Sequence, residues 1–265
     1  MAKMFFLMGC SLMAFHSLGY SQETNLQEAN RESACVSHTL DVEAIYSYVH
    51  IQTEGLASFN GNMGGVGAQY QYHPVDNFYG GLRFFWKQGP TSSSEMDRTL
   101  LDLLLEERVG YTIGLNGETW WLDTLTLYTG FGLRWLSSSL KFSGATLAED
   151  YYEYFVPVGF LTHFPVTNNF SIDCNFAWLP QVDPTVHLKP IGGARWDLAY
   201  QLSNFALEIP FTYTSCQEWA VCLTPFYEHW QDGASTASTT TGAQLGFPGN
   251  IYNFFGLTLS VSKNF

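Results

Sequence analysis

The sequence predicts an all-β chain closed into an antiparallel, up-and-down transmembrane β-barrel of about ten strands, with eight or twelve as the alternatives. Three observations carry that expectation. The 265 residues are 46% hydrophobic, 17% aromatic and only 13% charged, where a soluble domain usually has about a quarter of its residues charged. Mean hydropathy is nevertheless -0.03, and beyond the N-terminus no run approaches the ~18 apolar residues of a spanning helix. Polar and apolar residues are therefore interleaved, and the interleaving has a period of two. A wall with lipid on one face and a lumen on the other demands that pattern. A soluble β-sandwich also alternates, but its outer faces should carry more charge.

Residues 1–21 read as a signal peptide. Lys3 supplies the basic start and Met4 to Phe15 a short apolar run. Ser17 and Gly19, or Gly19 and Ser21, are small residues of the kind a cleavage site requires. A transmembrane anchor fits poorly, because the apolar stretch is short and ends in a polar segment. Leu7-Met8-Gly9-Cys10 has the look of a lipoprotein box, but cleavage there would leave too short an apolar run. Residues 22–39 are polar and aperiodic, a flexible lead-in to a barrel expected over 40–265.

The clearest strand is 124–136, with Leu125, Leu127, Phe131, Leu133 and Trp135 on one parity and Thr126, Gly130, Gly132 and Arg134 on the other. Segments 170–178, 205–213 and 109–115 behave likewise, and a helix would not hold one parity apolar for so long. Strands are expected at 40–52, 61–73, 78–88, 106–116, 124–136, 151–163, 170–180, 204–214, 219–230 and 251–265, each long enough to cross the hydrocarbon at a tilt. Their connections count 8, 4, 17, 7, 14, 6, 23, 4 and 20 residues, so long and short ones alternate between the rims. The short ones carry turn chemistry, as in His73-Pro74-Val75-Asp76-Asn77. Residues 194–202 also alternate. An eleventh strand would break the even count, so they are read as an external hairpin or an upward extension of the eighth strand. A twelfth crossing could only hide in 231–250, which is rich in Gly, Ser and Thr. Leu100 to Leu105 is read as a strand extension or a short loop helix. Aromatics gather near the strand ends, Tyr70, Tyr72, Trp120, Trp121, Phe170 and Tyr213 below and Trp86, Trp135, Tyr154, Trp178 and Trp230 above, as interface girdles do.

The last strand makes the resemblance specific. Phe255, Leu257, Leu259, Val261 and Phe265 share a parity. The chain resembles the bacterial outer-membrane β-barrel superfamily (porin-like or small surface barrels), whose final strand ends in an aromatic read by the barrel-assembly machinery. Lys263 departs from the pattern, since the superfamily usually places an apolar residue there; a lysine at the interface can snorkel. The resemblance covers roughly 40–265. It implies a bacterial outer-membrane location, a periplasmic lead-in, short periplasmic turns, long surface loops, and outer-membrane lipid and the assembly machinery as partners.

Strand parity turns Arg83, Lys87, Arg108 and Arg134 toward the lumen on one arc, and Asp173, Glu208 and Glu228 on the opposite arc. Buried charges must be paired or hydrated. The lumen is therefore either a salt-bridged plug in a structural or adhesive barrel, or a narrow pore whose opposed arcs orient small polar solutes. These features predict a porin-like or structural barrel with a polar, charged lumen, with a plugged surface adhesin as the alternative. An outer-membrane hydrolase ranks last: His187, His229, Asp150 and Asp183 near the upper rim have no fixed spacing to a nucleophile, and G-x-S-x-G and H-E-x-x-H are absent. No enzyme activity and no cofactor are expected, and no Cys/His spacing suggests a metal. A net charge of -13 argues against nucleic-acid binding. Cys216 and Cys222 flank a turn and could bridge it in an oxidising envelope, whereas Cys174 falls on the lipid parity. The runs 91–94 and 233–242 suit exposed loops.

Overall fold

In the computed structural model the described residues are 38–55, 58–94, 96–115, 122–142, 145–189, 194–216, 218–238 and 246–265. The expected signal peptide and almost all of the lead-in lie outside them, as do Trp120 and Trp121. The strand segments are β1 (His38–Thr53), β2 (Phe59–Tyr72), β3 (Asn77–Ser92), β4 (Asp97–Gly114), β5 (Thr124–Phe142), β6 (Ala145–Phe155), β7 (Val158–Thr167), β8 (Phe170–Trp178), β9 (Gln181–Leu188), β10 (Ala194–Leu198), β11 (Phe205–Glu208), β12 (Phe211–Cys216), β13 (Trp219–Asp232), β14 (Ser235–Ser238) and β15 (Asn250–Asn264).

These segments compose ten passages up and down the wall. β6 and β7 make the sixth, β8 and β9 the seventh, β10 to β12 the eighth, and β13 with β14 the ninth. Three of the breaks fall at Pro157, Pro180 and Pro210, where a missing N–H interrupts the ladder. All pairings are antiparallel, and β15 pairs with β1 from Thr39↔Asn264 to Thr53↔Asn250. That last pairing leaves no free edge between the first and last strands, so the barrel closes.

Two ambiguous segments resolve as strand. Leu100 to Leu105 lies inside β4, with Leu100 and Leu104 buried within the barrel. Residues 194–198 form β10, which pairs with both β9 and β14. They extend the eighth passage upward and add no new crossing.

The turn at 73–76 shows how the lower rim is tied. Asp76 takes a left-handed conformation, φ 55°, which Asp tolerates better than most residues. From there its Oδ1 accepts the Gly114 N–H at 2.8 Å, and its carbonyl accepts the Tyr111 hydroxyl at 2.9 Å.

The outer face carries the apolar residues. Val42, Val66, Leu82, Val109, Leu127, Phe131, Leu223, Phe255, Leu257, Leu259, Val261 and Phe265 are all exposed, a contiguous apolar wall that water would penalise and lipid would not. Tyr70, Tyr213, Trp86 and Trp178 are exposed near its edges. Trp135 stacks on Tyr152 and Tyr154 on Phe131. Trp230 departs from the expected girdle: it is 1% exposed and points inward, on the same parity as Glu228. Lys263 lies on the outer face with its ammonium 5.6 Å from the Trp219 ring centre, a snorkelled position. Phe265 stacks on His38.

Two lumen-facing glycines make room for rings across the strand pair. Gly132 pairs with Phe155 and Gly256 with Phe226. A Cβ at Gly132 would lie 2.0 Å from the Phe155 ring, and one at Gly256 would lie 2.4 Å from Phe226. The absent side chains let bulky residues fold over the wall and fill the interior.

Candidate functional site

Among the described residues, strand parity gathers chemistry in the lumen, and its contents change with height. Near the lower rim, His163 Nδ1 lies 2.6 Å from Asp173 Oδ1, with both side chains partly exposed. His73, carried by the lower turn, bonds Thr126 Oγ1 through Nε2 at 2.6 Å and meets the Tyr79 ring edge-on. Burial, with the nearby His163 adding to it, pushes the His73 imidazole down to about 4. Between about pH 6.5 and 4 an unfolded chain therefore binds a proton at His73 that the folded barrel does not, so stability falls on acidification. His73→Gln, which can still bond Thr126, should flatten the pH dependence of the urea midpoint over that window; an unchanged slope would refute the assignment.

Above this level the charges interlock. Arg83 Nη1 reaches across the lumen to Glu208 Oε1 at 2.6 Å. Glu208 also accepts Asn175 Nδ2 at 2.6 Å, and the Tyr128 hydroxyl donates to Asn175 Oδ1 at 2.7 Å. Arg108 grips Glu106 through two bonds of 2.8 and 2.9 Å and lies over the Tyr128 ring.

The next layer is a quartet. Arg134 donates to both oxygens of Asp102 at 2.8 and 2.6 Å. Lys87 Nζ sits 3.3 Å from Asp102 and 3.0 Å from Glu228, and Arg134 reaches Glu228 at 3.7 Å. Lys87 also lies 4.2 Å from the Phe254 ring centre, and Arg134 lies 4.6 Å from that of Trp230. Lys87, Asp102 and Arg134 are 1%, 0% and 1% exposed. Charges so desolvated persist only because each is answered by a partner of opposite sign.

Apolar side chains pack around the quartet. Phe155 packs edge-on against Trp230 at 5.4 Å, and Ile51, Phe59, Leu136, Val186 and Trp196 are buried in the same core. Arg98 crosses this layer to Glu149 at 3.3 Å and covers the Phe59 ring. Ion pairs and buried hydrocarbon thus pack together in this part of the lumen.

The expected lumen residues Arg83, Lys87, Arg108, Arg134, Glu208 and Glu228 do face inward, with Asp173 nearer the lower mouth. Their separation into two opposed arcs is not observed. The basic groups do share β3, β4 and β5, but Asp102 and Glu106 stand among them on β4, and Glu43 and Glu153 approach from β1 and β6. Asp102, Glu106, Glu153 and Asp232 were missed, although all lie on the inward parity of their strands. Arg108 already marks even positions of β4 as inward, so continuing that parity through the leucine run finds Asp102 and Glu106.

Of the upper-rim candidates, Asp150 and His187 are register partners across β6 and β9, and each of the four makes its own contacts. His229 faces outward and contacts Asn253, while His187 packs against the Tyr152 ring. Asp150 pairs with Lys189 at 3.0 Å, and Asp183 is exposed beside Arg195. Cys222 is a free thiol. Its register partner is Thr212, whereas Cys216 pairs with Trp219, so the two cysteines are offset along the hairpin. The expected bridge between them is not formed.

No protein-family model and no curated protein sequence matches the chain. Solved structures do match. The outer membrane protease OmpT from Escherichia coli superposes with a TM-score of 0.59 over 86% of this chain and 96% of its own, at 9% identity. The chain has the fold of the bacterial outer-membrane β-barrels. The translocator domain of the autotransporter NalP from Neisseria meningitidis also aligns, with a TM-score of 0.48, 10% identity and coverage of 90% and 92%. At such identities the likeness is one of architecture. For an outer-membrane barrel, the exposed apolar wall becomes the lipid-facing band, and the rim with both ends of the described barrel becomes the lower, short-turn rim.

Proposed function

We propose that the protein is an integral outer-membrane barrel with a closed lumen, acting at the cell surface through its upper rim and loops and not as an open diffusion pore. The observation that carries this reading is the filled interior: the Lys87–Asp102–Arg134–Glu228 quartet packs against Trp230, which in turn packs against Phe155 among buried aliphatic side chains. An open porin needs a continuous wet path, which neither layer supplies. The reading includes a bacterial outer-membrane location, lipid around the exposed band, and delivery by the barrel-assembly machinery through the final strand.

The protease named among the structural neighbours raises the question of catalysis. The pairing of Asp150 with Lys189 and of His229 with Asn253 supports a non-enzymatic role. Polar solutes, if they act on this protein, meet it at the rims. Insertion of the purified protein into planar bilayers tests the proposal, since membrane current should stay at its baseline.

A further inference from the structure

The lipid-facing wall is interrupted by a charge on β4. Glu107 takes the outward parity of Val109 and is exposed. Its register neighbours are Leu82 on β3 and Phe131 on β5, both exposed, and Leu105 and Val109 flank it along the strand. None of these offers a hydrogen-bond donor, and among the described residues no hydrogen bond or ion pair reaches the carboxylate. Among the described residues, no other Asp, Glu, Lys or Arg faces outward inside the band; Lys263 lies at its lower edge.

Trp86, Leu103 and Trp135 share a register row at the upper edge of the band, and Phe78, Tyr111 and Leu127 share one at the lower. Glu107 stands midway, four residues from Leu103 and four from Tyr111. Four residues cover about 13 Å of strand, roughly 10 Å of bilayer depth at the usual tilt. Lysine and arginine can snorkel along their long stems, but the two methylenes of a glutamate cannot carry its carboxylate that far. An ionisable group at such a depth is costly and marks function, most often by pairing with an opposite charge. This wall supplies none.

The same face carries a second feature. Above Glu107, β2 to β5 frame a groove of about 540 Å³. Asn60, Asn62, Ser92, Asp97, Thr99 and Lys141 line it from the outward parity of their strands, bringing amides, hydroxyls and one charge of each sign. Gly80 on β3 lies diagonal to Glu107, and a Cβ there would meet nothing within 4 Å. Another chain can therefore approach the wall closely beside the carboxylate.

We propose that the outer face of β2 to β5 docks a different membrane-spanning protein, which sets a lysine or arginine against Glu107 at mid-depth. Charge complementarity selects this occupant. Lipid tails have no donor, and lipid headgroups lie at the edges of the band. A second copy in the same membrane orientation brings only its own Glu107 to that depth, because Lys263 stays at the lower edge. The partner's cation is as costly in lipid as Glu107 is, so docking removes an unpaired charge from both chains. The part of the partner that rises above the bilayer then meets the polar groove. The docking face depends on the lipid-facing band and not on the closed lumen; a conducting barrel would leave it standing.

The test uses a synthetic leucine–alanine transmembrane helix carrying one central lysine as the probe. Fluorescently labelled, it is reconstituted into lipid vesicles with the labelled, refolded barrel. Energy transfer from wild type to this helix should exceed, several-fold, that to the same helix with leucine at the centre or with its lysine moved to the interface. With Glu107→Leu the three helices should give equal transfer. The lone Glu107→Leu barrel should unfold at the same or a higher urea concentration than wild type, because the carboxylate has no partner within its own wall. No preference for the central lysine, a preference that survives Glu107→Leu, or a lower urea midpoint for the variant would overturn the docking face. So would energy transfer between wild-type barrels that Glu107→Leu abolishes, which would make a second copy the occupant.

Discussion

Replacing Asp102 by alanine should lower the unfolding free energy by about 3–5 kcal/mol, the usual penalty for removing one partner of a buried ion pair. Asp102 is fully buried and receives two hydrogen bonds from Arg134 and a contact from Lys87. Its loss leaves two buried cations sharing Glu228, with one positive charge uncompensated. Asp102→Asn should lose nearly as much, because what is missing is charge and not volume. Urea titrations of protein refolded into lipid vesicles give the difference directly. A loss under about 1 kcal/mol, the range of exposed pairs, would mean that the quartet is hydrated.

Trp230→Ala should cost a similar amount, about 3–5 kcal/mol, for a different reason: a large buried ring is removed and the cavity is only partly refilled. Trp230 packs against Phe155 and covers the Arg134 guanidinium, so it joins the apolar layer to the quartet. Trp230→Phe should recover most of the loss. Because both sites act on Arg134, the Asp102→Ala/Trp230→Ala double variant should depart from additivity by roughly 0.5–3 kcal/mol. Strict additivity would place the two layers in separate environments.

The fold was legible because one rule, alternation, repeats along nearly every strand. Leu125 to Trp135 and Phe255 to Phe265 follow it in sequence and in the structure. It blurred where the rule itself weakens. Leu100 to Leu105 is apolar on both parities apart from Asp102, because Leu100 and Leu104 are buried among hydrophobic side chains of the interior while the alternate leucines lie on the apolar outer face. Residues 194–198 alternate like a crossing because β10 continues a crossing beyond the lipid band. Trp230 was placed in the girdle by its residue type, although Glu228 two positions before it marked that parity as inward.

The site was half legible. Parity assigned the direction of Arg83, Lys87, Arg108, Arg134, Glu208 and Glu228, but partners depend on strand stagger around the barrel, which sequence spacing does not encode. Arg83 meets Glu208 and Lys87 meets Glu228 across the lumen, pairs far apart in the chain. The cysteine bridge failed on register: two residues flanking a turn are not thereby opposite each other.

The most direct test of the closed lumen is single-channel recording in planar bilayers at neutral pH, with insertion verified independently by heat-modifiable gel migration and an open porin as positive control. A barrel sealed by the Lys87–Asp102–Arg134–Glu228 quartet and the Phe155–Trp230 layer should leave the current at baseline over the whole voltage range. Steady, reproducible openings of the wild-type protein would contradict it.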